Sequence, residues 1–239
     1  MLQSRARIIG PIYPFAHGAS PMSDDLPPTI DPRAAARWAQ HAQATAPWLH
    51  EEIGRRMQER LQWIRMRPKA WVDWEPLRGG LQAHAAVARF YGAAPCWVAD
   101  SVPHRARATE SALREPWWQP GRWLGAPTRF GLPPDGAVEM VWANMALHMA
   151  ADPKALLHSW HRMLSADGFL MFSCLGPDTL VELRGLYRSL GWPAPAHEFT
   201  DMHDWGDMLV RAGYAEPVMD MERVTLTFDS PERLLAELR

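Results

Sequence analysis

Between Val141 and Leu180 apolar runs and polar breaks follow one another in the rhythm of strand, loop, helix and strand. Val141–Trp142–Ala143 is a short apolar run of the kind that forms a buried strand, and Asn144 falls where that strand would end. Asp152–Pro153 supplies a capping carboxylate followed by a proline in the first helical turn, where its missing N–H costs nothing. Leu156, Leu157, Trp160, Met163 and Leu164 then recur at helical spacing on one face. Asp167–Gly168 stops the helix, and Phe169 to Leu175 is an uninterrupted apolar run of strand length. Strand, crossover helix and strand imply a parallel α/β sheet, whose ligands gather at the carboxyl ends of the strands. That rule singles out Asn144 to His148 and Gly176 to Asp178.

The same reading extends along the chain. Residues 1–30, broken by Gly10, Pro11 and Pro14 and ending in a proline-rich stretch, read as a disordered extension rather than a signal peptide, which needs a continuous apolar centre. Met22 is an alternative start. Residues 31–239 read as one domain. Asp31–Pro32 opens a helical region that Pro47 divides. The second helix carries Leu49, Ile53, Met57, Leu61 and Ile64 on one stripe. Strands are expected at Ala70–Asp73 and Cys96–Ala99, the latter ending on Asp100, with a glycine-containing loop and the helix Leu81–Tyr91 between them. Ser101 to Pro134 must hold one helix and one short strand. Helices follow at Asp178–Leu190 and Asp201–Ala212. Pro217–Met221 and Val224–Phe228 are close enough to form an antiparallel hairpin. A last helix opening at Ser230–Pro231 reads as cut short at the C-terminus.

Composition narrows the class without fixing it. The chain has 239 residues, 47% hydrophobic and 22% charged, which suits one α/β domain with a substantial core. A formal net charge of −2 gives no general footprint for nucleic acid. Cys96 and Cys174 both lie in apolar strand-like runs, so neither a disulfide framework nor a cysteine metal site is expected, and a reducing cytoplasm fits. His158 and His161 lack a third ligand, so no metal is assigned. No apolar run reaches the length of about 18 residues that a membrane helix needs.

The residues from Val141 onward carry a family resemblance. The pattern V-W-(S/A)-N-x-A-L, then D-P-x-x-x-L, then L-x-x-x-G-x-L-x-F-S-x-L-G-P-x-T-L-x-E-L-R is matched almost throughout, ending at Glu182–Leu183–Arg184. A second block, Phe199 to Phe228, and a supporting one, Ala46 to Leu61, extend the match to roughly Arg33–Arg239. The chain resembles the class I S-adenosylmethionine (SAM) dependent methyltransferases. More closely it is similar to the malonyl-acyl-carrier-protein O-methyltransferases of biotin synthesis and their relatives among complex I assembly factors. The resemblance implies a single Rossmann-like domain with a mostly parallel seven-stranded sheet, a C-terminal antiparallel hairpin and N-terminal helices. It also implies SAM as cofactor, a cytoplasmic enzyme, and an acyl-carrier protein as partner.

Residue by residue, the resemblance assigns cofactor contacts to Asp73, Gly79, Asp100 and Asn144. The family's first motif, D/E-x-G-x-G-x-G, aligns with Asp73 to Gly79, so Glu75 and Leu77 stand where two glycines normally admit the ligand. Asp100 would receive the ribose hydroxyls, and Ala126 replaces the aspartate expected to read adenine. His148, four residues past Asn144, is a candidate for orienting a substrate carboxylate; the alternative is a loop histidine packed on Trp142. Arg184 and Arg188, four apart on one helix, offer a basic face to an acidic carrier protein. A malonyl carboxylate is already ionised at neutral pH, so the reaction requires no general base. Three functions follow: O-methylation of the free carboxyl of malonyl-acyl-carrier protein; because of Glu75, Leu77 and Ala126, a methyltransferase fold without turnover that serves as a binding or assembly module; or, as the resemblance to complex I assembly factors implies, a hydroxylase.

Overall fold

The computed structural model describes residues 6–7, 29–40, 45–114 and 126–237. Its sheet is built from β1 (Ala6–Arg7), β2 (Trp71–Trp74), β3 (Cys96–Ala99), β4 (Thr128–Phe130), β5 (Val138–Ala143), β6 (Leu164–Phe172) and β7 (Tyr214–Ala215). The order across the sheet is β4-β3-β2-β5-β6-β1-β7, and every recorded pairing is parallel. The helices are α1 (Pro32–Gln40), α2 (Trp48–Arg60), α3 (Pro76–Gly79), α4 (Leu81–Phe90), α5 (Pro103–Leu113), α6 (Pro153–Met163), α7 (Val181–Ser189), α8 (Met202–Arg211) and α9 (Pro231–Glu237). Chain order runs outward from β2 through β3 to β4, then returns to the other side of β2 with β5 and β6. The reversal makes the carboxyl ends of β2 and β5 a topological switch point, where open α/β sheets bind their ligands.

Both faces of the sheet are covered, which is why its strands read as nearly continuous apolar runs. Alternate residues divide between two cores. Val72, Trp74, Val141, Ala143 and Leu170 face α6 and α8, where Leu157, Trp160, Trp205 and Leu209 meet them. Trp71, Met140, Trp142, Phe169 and Met171 face the other way, onto Met57 and Leu61 at the end of α2 and Val87 of α4. Gly54 allows the close approach of α2 on that side: a Cβ there would lie 2.5 Å from the Ala83 Cβ and 2.9 Å from Asn144 Nδ2.

Local chemistry accounts for the boundaries. Asp152 caps α6, accepting from the Ala155 N–H at 2.9 Å, and Asp201 caps α8 through His203 N–H at 2.9 Å. The Asp167–Gly168 turn lies inside β6 as an irregularity in its register with β5 rather than ahead of it. Asp167 has φ 63°, and a Cβ on Gly168 would come within 3.0 Å of the Ser165 carbonyl and 3.1 Å of the Glu139 carbonyl. The expected helix and strand between Ser101 and Pro134 are α5 and β4, with residues 115–125 outside the described set. Of the expected disordered extension, residues 1–5 and 8–28 also lie outside it, while Ala6–Arg7 pair with β6 and β7.

The antiparallel hairpin is not formed. No strand is assigned between Pro217 and Phe228, and β1 takes the place between β6 and β7. The alternation of Val224, Leu226 and Phe228 meets no buried surface, since Leu226 is exposed and the other two are only half-buried. Ion pairs hold this segment to α2 instead, Arg56 with Glu222 and Arg60 with Asp220 at 2.8 Å. No helix among the described residues is long and apolar enough to cross a membrane.

Candidate cofactor crevice

The crevice at the switch point begins where β2 ends. The glycine-containing loop expected after β2 is instead the single turn α3, entered through Glu75 at φ 55°, ψ 52°. A left-handed conformation suits glycine, and a residue with a Cβ pays roughly 1–2 kcal/mol for it. The backbone is pinned there: Glu75 N–H donates to the Ala99 carbonyl at 2.7 Å, and the Glu75 carbonyl accepts from Gly79 N–H at 2.8 Å. The side chain turns inward, only 6% exposed.

Glu75 meets a buried cluster of charges. Arg105, on α5 and 2% exposed, places Nη2 2.8 Å from Glu75 Oε1 and 3.2 Å from Asp100 Oδ1. Its Nε lies 3.2 and 3.3 Å from the two Asp100 oxygens. Asp100 also accepts the Val102 N–H at 2.8 Å. Ser101 Oγ donates to Glu75 Oε1 at 2.5 Å, and Arg78 Nη1 lies 3.4 Å from Glu75 Oε2. Burial, and after it the Glu75 charge, raises the Asp100 pKa. Helix α1 closes the cluster from above, where the Ala39 carbonyl accepts from Arg105 Nη1 at 3.5 Å and the Trp38 ring lies 6.0 Å from the Arg78 guanidinium carbon.

The amino end of α4 is taken as well. Glu51 of α2 accepts from the N–H groups of Gln82 at 3.1 Å and Ala83 at 3.0 Å, satisfying donors that a bound anion would otherwise meet. Gly80, at φ 122°, leaves room for that carboxylate, since a Cβ there would lie 2.5 Å from Glu51 Oε2.

The other expected contacts are committed to the protein. Asp73 points under the sheet, where its carboxylate accepts from His84 Nδ1 of α4 at 2.8 Å, and burial raises its pKa. Asn144 donates Nδ2 to the His50 carbonyl at 2.7 Å and to the Gly79 carbonyl, and its Oδ1 accepts from Ser173 Oγ at 2.6 Å. Gly79 packs on Asn144, with a Cβ there reaching 3.1 Å from the Asn144 carbonyl. Leu77 is 3% exposed. Ala126 leads into β4, and residues 115–125 before it lie outside the described residues.

His148 sits on the short turn Leu147–Met149, buried against Phe199 at 6.1 Å between ring centroids. Leu175 N–H donates to its Nδ1 at 3.4 Å, which leaves the neutral ring its proton on Nε2. Burial, reinforced by His50 and Arg78, lowers its pKa to about 3. The unfolded chain, with histidine near 6.5, therefore binds this proton more readily than the folded one. The stability that His148 contributes is present above pH 6.5 and is lost as pH falls towards 3. Between pH 6.5 and 5.0 the wild type should lose about 1.6 kcal/mol more than a His148→Gln variant, the slope rising from half of ~1.4 kcal/mol per pH unit at 6.5 to nearly all of it at 5.0. Urea unfolding of both proteins at the two pH values checks this, and parallel losses would show that His148 does not titrate on unfolding.

Arg184 and Arg188 part company. Arg184 of α7 folds back to donate to the Pro177 carbonyl, whereas Arg188 is exposed. Arg105, Glu51 and Ser173 are the site residues that sequence reading did not single out. Ser173 had a signal, since it lies inside the F-S-x-L-G-P block. Glu51 and Arg105 act only through contacts distant along the chain or around a loop.

Taken as chemistry, the crevice does not fit an adenosyl cofactor in this arrangement. Its acid is paired, its turn carries side chains and its helix terminus is capped. The architecture around it nevertheless defines a class. The switch-point sheet matches, over 80% of this chain and 85% of the other at 15% identity and a TM-score of 0.50, one chain of a solved Haloferax volcanii complex containing the Trm112 methyltransferase activator. That likeness concerns the fold, which is that of the class I methyltransferases.

Sequence comparison goes further. The chain is 36% identical over 221 residues to the malonyl-[acyl-carrier protein] O-methyltransferase of Gallionella capsiferriformans, an alignment covering 87% of this chain and 72% of that protein. With the enzyme of the same name from Halorhodospira halophila it shares 34% identity over 191 residues, 80% of this chain and 63% of that protein. A shorter stretch of 104 residues is 47% identical to the Laribacter hongkongensis protein, spanning 44% of this chain and 35% of that one. No family model matches the chain. The chain belongs to the malonyl-[acyl-carrier protein] O-methyltransferase family.

Proposed function

We propose that this chain acts in biotin synthesis as a SAM-dependent O-methyltransferase on the free carboxyl of malonyl-acyl-carrier protein. The observation that carries the reading is the 36% identity over 87% of the chain to a protein of that name. The chemistry asks little of the protein beyond holding the acceptor. A malonyl carboxylate is ionised at neutral pH, so the lack of a general base is no obstacle. His148, neutral and carrying its proton on Nε2, is suited to donate a hydrogen bond to that acceptor. Arg188, on the exposed side of α7, suits an acidic carrier protein. Two unpaired cysteines, one buried and one half-buried, are consistent with the cytoplasm, where we place the reaction.

One observation favours a second reading. The Glu75–Arg105–Asp100 cluster occupies the crevice that SAM would enter, as expected of a family member that keeps the fold as a binding or assembly module. The readings separate in one assay. Purified protein is incubated with malonyl-acyl-carrier protein and methyl-labelled SAM, and the malonyl methyl ester is measured. The first reading expects ester formation, suppressed by S-adenosylhomocysteine, and rescue of a biotin-requiring strain that lacks its own enzyme. No labelled ester, together with no heat of SAM binding at millimolar concentration, establishes the second.

A further inference from the structure

A nucleotide crevice on a doubly wound sheet draws on three features: a glycine turn that lets backbone approach the ligand, a helix amino end for its anionic group, and a strand-ending carboxylate for its ribose. In this chain each is met by a side chain of the chain itself. The turn carries Glu75, whose carboxylate projects into the crevice rather than away from it. The helix end holds the Glu51 carboxylate. The strand-ending Asp100 has both oxygens engaged by the Arg105 guanidinium and one also by Val102 N–H. The charges balance within the cluster, two carboxylates (Glu75, Asp100) against two guanidinium groups (Arg78, Arg105).

Stability alone does not call for such an arrangement. Taking paired charges out of water costs about as much as their attraction returns, and apolar residues of similar volume commonly serve equally well. The left-handed backbone at Glu75 adds a further cost. What the arrangement achieves is complementarity: donors meet the carboxylate that would take a ribose, and a carboxylate meets the helix donors that would take an anion.

Resting on the reading of this crevice as the family's cofactor site, we propose that Glu51, Glu75 and Arg105 form an internal plug that stands in for the polar groups of an adenosyl ligand, so that the ligand must displace the Glu75–Arg105–Asp100 cluster to enter. A weakened affinity in this chain is then the expected result of occupied partners, and removing the occupants returns Asp100 to the ligand.

The test measures binding rather than turnover, by equilibrium dialysis of labelled S-adenosylhomocysteine against the full-length chain. Glu75→Gly with Arg105→Ala removes one charge of each sign, relieves the left-handed residue and frees Asp100. This double variant is expected to bind at least about tenfold more tightly than the wild type, a difference of ~1.4 kcal/mol. Equal affinities in the two proteins, or no gain in a double variant whose circular dichroism shows it folded, overturn the plug. Should the double variant not fold, Glu75→Gly alone keeps Arg105 paired with Asp100 and is expected to gain about threefold. No gain there overturns the proposal equally. The outcome is independent of methyl transfer. A tenfold gain over an inactive wild type keeps the plug and removes the enzyme, whereas equal affinities with an active wild type remove the plug and keep the enzyme.

Discussion

Arg105→Ala is expected to lower the free energy of unfolding by about 3–5 kcal/mol, because it leaves the buried Glu75 and Asp100 carboxylates facing each other without their shared cation. The loss is not that of one ion pair. Desolvation already raises the Asp100 pKa, with the Glu75 charge adding to it, and Arg105 is one of the groups that oppose the rise. Without it, Asp100 has the Val102 N–H, and Glu75 has Ser101 and the more distant Arg78. The natural control is a cycle with Glu75→Gly. Removing both partners should cost at least 1 kcal/mol less than the sum of the single losses, since groups in one network couple by about 0.5–3 kcal/mol. Urea denaturation of the four proteins gives both numbers. An Arg105→Ala loss below about 1 kcal/mol, the range of exposed ion pairs, would mean that water reaches this cluster freely.

The size of that effect also shows where sequence reading stops. Elements set by local pattern were legible: Cys96–Ala99 is β3 as expected, the Asp152 cap opens α6, a helix starts beside Asp201, and the apolar run after Gly168 supplies the buried second half of β6 as far as Phe172. Glu75 and Leu77 could be recognised as out of place because a glycine turn leaves a fixed spacing. What Glu75 does instead could not be read, since its partner Arg105 lies thirty residues further on, beyond α4 and β3, on α5. Glu51 is no different: a glutamate on an exposed-looking helix turn caps another helix because Gly54 and Gly80 bring the two together. The hairpin failed for the converse reason. Alternation of Val224, Leu226 and Phe228 is a local signal, and strand formation needs an open sheet edge and a surface to bury against, neither of which the pattern specifies.

Asn144 joins these two kinds of information, and its replacement should be nearly as severe as that of Arg105. The residue belongs to a family block and was expected to face the cofactor, yet its amide is fully spent within the protein. One Nδ2 group serves the carbonyls of His50 on α2 and Gly79 on α3, while Oδ1 takes the Ser173 hydroxyl at the end of β6. Three elements around the crevice are therefore tied to the end of β5 by one side chain that is 2% exposed. Asn144→Ala should cost about 2–4 kcal/mol, since each buried group left without a partner costs about 1–3 kcal/mol. Asn144→Asp keeps the volume and reverses the chemistry: a carboxylate can accept from Ser173 but can donate to neither carbonyl. It should therefore be at least as destabilising, with part of its stability returning as pH falls and the acid protonates. A residue held for ligand contact would behave otherwise, losing affinity while the denaturation midpoint stayed put. Urea midpoints of the two variants at pH 7.5 and 5.5 decide the matter, and an Asn144→Asp protein as stable as the wild type at pH 7.5 would show that this amide is not what holds the crevice together.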